Sequence, residues 1–242
     1  MVESLDKVVG ESKSGVGVLD RVVAILAFLS ESGPATLAGV VVGTGLPRPT
    51  AYRLLSALEA HHLVVREDGR YALGMRLLGW GSRAVGEVGL VEAAAPVLAK
   101  LRDETGESTQ LYVREGDHRV CVAAAERESG LKDAVPVGAV LPLDRGSAGK
   151  VLLAWSEDGT RYRGAGELAK VRERGWAEST AEREEGVASV SAPVFGAGGK
   201  VRAAVCASGP LSRLGERPGE RLAGAVVAAA GEVERALGNL AR

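Results

Sequence analysis

The stretch "GLPRPTAYRLLSALEAHHLV", residues 45–64, concentrates side chains that can recognise a nucleic acid. Arg48 and Arg53 carry forked donors that suit guanine N7 and O6 or a phosphate, and Thr50, Tyr52 and Ser56 add hydroxyls. Pro49 fits a first helical turn, where a missing N–H costs little. At 100° per residue Ala51, Leu54, Leu55 and Leu58 share a face. Tyr52, Arg53 and Ser56 fall opposite, with Arg48 and Thr50 at the start. Free N–H groups of that first turn are a further receptor for phosphate. A solvated helix with a stiff entry reads the same in isolation, so its surroundings must decide. Between Val40 and Arg83 six arginines (Arg48, Arg53, Arg66, Arg70, Arg76, Arg83) face three acids, inside a chain of net charge −1. A local basic patch in a near-neutral chain is the footprint of phosphate contact.

A second group lies in "DRGSAGKV", which resembles a phosphate loop at first sight. With Gly149 and Lys150 in register, however, the first glycine falls on Asp144 and the magnesium-binding hydroxyl on Val151. Both are wrong, and nucleotide hydrolysis is excluded. Gly146, Ser147 and Ala148 ahead of a helix can still present backbone N–H groups to a carboxylate; a tight structural corner is the plainer alternative. Cys206 and Ser208, two apart, face the same way on a strand. As a nucleophile Cys206 lacks a base: His61 and His62 end the arginine-bearing helix, and His118 sits beside a turn. The three histidines show no metal-ligand spacing. No catalytic residue, metal site or cofactor is expected.

The elements that must position these groups follow from periodicity. Residues 1–15 are polar and Gly/Ser-rich, a mobile arm. Leu19, Val22, Val23, Leu26 and Leu29 follow the amphipathic spacing, and "SESGPA" ends that helix. Thr36 can cap a second short helix through Val42, and "GTGLP" turns into the third. "LVVREDGRYAL" reads as two strands about Asp68-Gly69, a strong hairpin signal. Three helices and a hairpin over 16–73 make a winged helix-turn-helix, whose wing would carry Arg66 and Arg70. Residues 74–90 read as a linker helix whose small residues suit dimerisation.

Over 91–242 the pattern opens with a helix from Val91 to Glu104. "STQLYVREG" and "HRVCVAAAE" follow as neighbouring strands, then a strand-to-helix corner at "GSAGKVLLAWSE". "GELAKVRERG" is helical, "GVASVSAPVFGAGGKVRAAVCASGP" is a hairpin, and Arg213–Leu240 is a terminal helix. Strands first, with helices returning over one face, predict an α+β domain with a mainly antiparallel sheet.

At 242 residues the chain has room for one large domain or two modest ones. Its 46% hydrophobic and 25% charged content is that of a globular protein. Two cysteines in separate apolar runs suit buried thiols in a reducing compartment rather than a disulfide framework. The amino terminus lacks the pattern of a secretory leader, and no run approaches the roughly 18 apolar residues of a membrane span. A cytoplasmic protein with no membrane partner is expected.

With these residues in place, "GPATLAGVVVGTGLPRPTAYRLLSALEAHHLVVREDGRYALGMRLLGWG" resembles the DNA-binding region of the IclR-type bacterial transcriptional regulators, including Arg48, Pro49, Thr50 and Arg53. "LPLDRGSAGKVLLAW", "GVASVSAPVF" and "AAVCASGPLSRL" resemble that family's GAF-like α+β effector-binding domain. "VCVAAAERESGLKDAVPVG" and "GWAESTAEREEGVASVSAPV" look nearest to the NdgR-like branch, associated with amino-acid biosynthesis.

The resemblance implies a ligand-responsive regulator, a homodimer or homotetramer reading a pseudo-palindromic operator in double-stranded DNA. It further implies an effector that is a small carboxylate or amino acid. Ser147 and Ala148 match the corner that meets the effector's carboxylate, while Ser189, Cys206 and Ser208 match small polar pocket positions. Leu131 and Val135 would supply an apolar wall, and Ser179 and Glu182 lie where acidic or polar pocket residues are found. One departure stands out: "EDGTRYRGA" after Ser156 is shorter and more polar than the family's connection. The rival reading is a metabolite-binding protein or enzyme whose first domain serves assembly.

Overall fold

A computed structural model describes residues 14–84, 88–160 and 164–240. The arm expected over 1–15 lies almost wholly outside the described residues, as does the middle of the 157–165 connection. The chain divides into two compact units, Met1–Gly86 and Glu87–Arg242.

The first unit opens with α1 (Gly17–Ser32), β1 (Ala35–Thr36), α2 (Leu37–Thr44) and α3 (Arg48–Ala60). Strands β2 (Val64–Glu67) and β3 (Arg70–Leu73) and helix α4 (Arg76–Ala84) complete it. Thr36 caps α2, its hydroxyl accepting from the Gly39 amide at 3.2 Å. Gly45, left-handed at φ 68°, closes the same helix. Asp68 and Gly69 have φ of 47° and 74°, the two positive values that a type I′ turn needs to match strand twist.

Sequence patterning missed β1, which is only two residues long; it pairs antiparallel with β3, Ala35 opposite Tyr71 and Thr36 opposite Arg70. Ile25, Leu29, Val40, Ala51, Leu55, Leu58, Val64 and Tyr71 form the core of this unit. Burying each large side chain contributes about 1.5–3 kcal/mol. Leu19 and Val23, placed on the inward face of α1 by spacing, are 51% and 44% exposed. The core turns instead on Ile25 and Leu29, with Val22 and Leu26 packed beside them.

The second unit begins with α5 (Val88–Thr105), three residues before the expected start. A six-stranded sheet runs in the order β6-β5-β4-β9-β8-β7, with every neighbouring pair antiparallel. Its strands are β4 (Ser108–Glu115), β5 (His118–Ala125), β6 (Val140–Pro142), β7 (Ala177–Thr180), β8 (Val187–Phe195) and β9 (Val201–Pro210). The helices are α6 (Ser147–Ala154), α7 (Ala165–Arg174), the short α8 (Leu211–Leu214) and α9 (Pro218–Leu240). The terminal helix expected over Arg213–Leu240 is therefore broken, at Gly215 with φ 73°, ahead of Pro218.

Helices cover both faces of the sheet, where the sequence pattern had placed them over one. Leu98 and Leu101 of α5 and Leu222, Val226 and Val233 of α9 pack on Val190, Val194, Val205 and Ala207. Across the sheet Val151 and Leu152 of α6 and Leu168 and Val171 of α7 join Tyr112, Ala204 and Cys206. A bulge makes this second face: Leu111 pairs Ala123 and Tyr112 pairs Cys121, leaving Val122 extra. Arg119 and Cys121 thereby lie on the α6 side while Ala123 packs with α5 and α9.

Candidate functional site

In the first unit the backbone of α3 is preset by Pro47 and Pro49, and its first turn carries no side-chain cap. Ala51, Leu55 and Leu58 are buried and Leu54 is packed beside them. Arg48, Pro49, Tyr52 and Arg53 are exposed, and Thr50 and Ser56 are half-buried. The exposed face is thus the one bearing Arg48, Tyr52 and Arg53. On the wing Arg66 lies over the buried Tyr71 ring, 5.3 Å from its centroid, and Arg70 donates to Pro34 O at 3.2 Å. Both arginines keep exposed positions. Thr36 is exposed as well, with its hydroxyl engaged in the cap.

In the second unit the sheet and α6 enclose a pocket of about 20 Å³, room for roughly one water molecule. Gly146, Ser147, Ala148, Ser179, Ser189, Cys206 and Ser208, all expected from sequence, line it. Gly146 sits at φ 83°, a backbone that favours glycine, and turns the chain into α6. Ser147 is the hub of the polar floor: its hydroxyl lies 2.7 Å from that of Ser189 and 2.8 Å from that of Ser191. The Cys206 sulfur is 3.9 Å away. Ser208 donates to Gln110 Oε1 at 3.2 Å. Burial pushes the Cys206 thiol pKa up, so this sulfur is a protonated, weakly polar group rather than an activated nucleophile.

Three of the expected effector residues sit elsewhere. Leu131 is 70% exposed and borders a neighbouring groove, because residues 126–139 form an irregular excursion between strands. Val135 is buried in one cluster with Cys121 and Leu143 and is not among the residues lining the pocket. Glu182 stands at the rim: one oxygen accepts from the Gly146 amide at 3.1 Å, and the other pairs with Lys150. Lys150, the residue that mimics a phosphate-loop lysine, is buried; it also pairs with Glu167 at 2.6 Å and donates to Glu178 O at 3.1 Å. Burial disfavours its charge, but the two carboxylates outweigh that and raise its pKa.

Four polar or charged lining residues were missed by sequence reasoning: Tyr112, Arg119, Asp133 and Arg183. Arg183 Nη2 binds both oxygens of Asp133 at 2.6 and 2.7 Å. Arg119 is 3% exposed, lies 5.4 Å from the Tyr112 ring centroid and donates to Pro142 O and to Arg145 O, the latter at 2.7 Å. Alternation along β5 would have assigned Arg119 to a face only if the bulge were known. The Asp133–Arg183 pair joins two loops fifty residues apart, which no local pattern reveals. Among the described residues no group of three or more His, Cys, Asp and Glu side chains could hold a metal ion. No helix among them is long and apolar enough to cross a membrane.

Known proteins share this arrangement. A family model described as the IclR helix-turn-helix domain matches residues 18–68. A second, for the bacterial transcriptional regulator IclR C-terminal region, matches 82–163 and 165–235. The HTH-type transcriptional regulator RhmR of Escherichia coli K12 is 29% identical over 93% of this chain and 95% of its own. The HTH-type transcriptional repressor AllR of the same strain is 27% identical over 85% and 84%. A transcriptional regulator from Rhodococcus sp. RHA1 has the same fold at TM-score 0.71, 27% identical over 93% of this chain and 99% of that one. A homologue from Microbacterium hydrocarbonoxydans, solved with 4-hydroxybenzoate, shares the fold at TM-score 0.67 and 24% identity, over 92% of this chain and 99% of that one.

A helix with an exposed arginine face in one unit, a polar pocket in the other and family models spanning both lead to one conclusion: the chain belongs to the IclR family of bacterial transcriptional regulators, which join a DNA-binding helix-turn-helix to an effector-binding domain.

Proposed function

We propose that α3 reads the major groove of a pseudo-palindromic operator, with Arg48, Thr50, Tyr52, Arg53 and Ser56 on its reading side. Thr36, Pro49, Arg66 and Arg70 contact or orient the backbone. A homodimer or homotetramer supplies the paired helices, as the two-fold symmetry of such operators requires. The second unit binds a small organic acid at the Gly146–Ala148 corner, over the hydroxyls of Ser147, Ser179, Ser189 and Ser208 and the Cys206 thiol. Ligand shifts the balance between DNA-binding arrangements by its difference in affinity for them. A cytoplasmic setting fits two buried free thiols. A role in amino-acid metabolism rests on the resemblance of the 120–138 and 175–194 segments to the NdgR-like branch.

The observation that carries the DNA reading is the split of α3: its leucines are buried while Arg48, Tyr52 and Arg53 stand exposed in a locally basic unit. Selection of bound fragments from sheared genomic DNA, followed by titration of the best fragment across a salt series, tests it. One or a few enriched palindromic sites are expected. Salt-sensitive binding without sequence preference, with or without ligand, would overturn it.

A further inference from the structure

The pocket at the α6 corner is closed. About 20 Å³ holds a water molecule, so anything larger enters only where the wall moves. Outside one stretch of that wall lies a groove of about 360 Å³, a volume in the range of ligand sites. Asp133 and Val187 line both spaces. Arg183 lines the inner one, and its neighbours Glu184 and Glu185 line the outer. The Asp133–Arg183 pair therefore stands in the partition.

The two segments that carry the pair are built alike. Every residue of 128–134 is exposed except Asp133, and every residue of 181–186 is exposed except Arg183. Each segment turns one side chain inward, toward the other's. A segment with so few buried contacts opens at low cost. Residues 128–134 are fixed just beyond their ends: the Arg127 amide donates to Ser108 Oγ at 3.2 Å, and Val135 is buried in one cluster with Cys121. Between those points Gly130, at φ 81°, supplies a backbone position suited to a hinge.

Three contacts hold the segment down. Arg213 donates to Leu131 O at 3.0 Å, a single hydrogen bond. Lys132 pairs with Glu126 in a partly exposed bridge, a kind that contributes little. Arg183 Nη2, by contrast, binds both Asp133 oxygens at 2.6 and 2.7 Å, with only 7% of the Asp133 side chain and 19% of the Arg183 side chain exposed. Burial disfavours the Arg183 charge, but Asp133 outweighs it and raises the pKa. A charge-assisted contact sheltered from water is the strongest of the three, and removing one partner leaves the other charge uncompensated.

We propose, resting on the effector-pocket reading above, that residues 128–134 are a strap over the pocket, latched by Asp133 and Arg183, whose release joins pocket and groove into one chamber of ligand size. Release also lets solvent reach Cys206, which lines the pocket, but not Cys121, which is fully buried outside that lining. Opening is thus readable at one thiol, with the other as the control for unfolding.

The full chain is held at pH 8 in iodoacetamide, and alkylation of each cysteine is followed by peptide mass spectrometry. Asp133→Asn should be alkylated at Cys206 about tenfold faster than the native chain or more, with Cys121 unchanged. Arg183→Lys, which keeps the charge, should stay within about threefold of the native rate. An unchanged Cys206 rate in Asp133→Asn overturns the proposal, and so does an Arg183→Lys rate equal to that of Asp133→Asn. Equal acceleration at both cysteines, which is also what a variant that fails to fold gives, overturns it as well and makes the pair a prop of the fold. Alkylation needs neither effector nor DNA, so its failure removes the latch alone. The regulator reading falls only if operator selection with the native chain fails.

Discussion

The amide of Gly146 donates to the Glu182 carboxylate at 3.1 Å, so the chain's own acid occupies the donor that an effector's acid would want. Lys150 holds the other carboxylate oxygen in place. Replacing Glu182 with Ala frees the amide, while Lys150 keeps Glu167 and the Glu178 carbonyl. Affinity for a small carboxylate such as acetate should rise about threefold to tenfold, the worth of roughly one hydrogen bond. Calorimetry reads this directly, and a fall in affinity would make Glu182 a ligand contact instead.

On DNA, Arg53→Ala should cost about 1–3 kcal/mol of specific binding and relax selectivity at one base pair of each half-site. Arg66→Ala, on the wing, should weaken all sequences alike and flatten the salt dependence. Electrophoretic titration of the selected operator and of point variants separates the two patterns. Equal loss on every sequence for Arg53→Ala would move it to the phosphate class.

Ser147→Ala removes the hub that joins Ser189 and Ser191. The two remaining hydroxyls, Ser191 buried and Ser189 half-buried, lose a shared partner, so the second unit should lose about 1–2 kcal/mol. Chemical denaturation followed by far-UV circular dichroism measures it. An unchanged midpoint would show that the hydroxyls re-pair without Ser147.

The thiol of Cys121 is pushed up to about 12, chiefly by burial and then by the nearby Cys206. Its folded value exceeds the ordinary 9.0, so the buried neutral thiol favours the fold below pH 9. That contribution is lost as pH rises from about 9 toward 12. Stability of the second unit should decline across this window, and Cys121→Ala should flatten the decline. At pH 8 a thiol reagent should label neither Cys121 nor Cys206 until the chain is unfolded.

A Cβ on Gly43 would meet the Phe28 ring at 2.0 Å, which places α2 hard against α1. Alanine gains about 1 kcal/mol of helix propensity, but overpacking of this depth costs about 1–3 kcal/mol. The overlap dominates, and Gly43→Ala should lower the melting temperature of the first unit and weaken operator binding. A melting temperature at or above the native value would mean that the Phe28 ring swings clear.

Much of the frame was legible because its signals are local. The Asp68-Gly69 turn, the Thr36 cap and the leucine spacing of α3 each depend on residues a few positions apart. So does the alternation that sends Cys206 and Ser208 to one side of β9. Short edge pieces escaped: β1 of two residues, β6 of three and β7 of four carry too little pattern to register. The charges of the pocket escaped for another reason. Asp133 meets Arg183, and Glu182 meets Lys150, only once loops and helix are folded together. Arg119 drew no notice in the sequence, because the bulge at Val122 that sets which face the strand shows on either side of it has no local signature.

Strand β9 serves two masters at neighbouring positions. Cys206 and Ser208 look into the pocket, while Val205 and Ala207, fully buried, press on the layer of α5 and α9. Any side chain at 206 or 208 large enough to shift the main chain disturbs a close-packed interior on the opposite face. Descendants of this sequence are therefore held to small residues on β9. Asp133 and Arg183 sit on loops with no second face to satisfy, but each holds the other's charge, so a change there must replace the pair together.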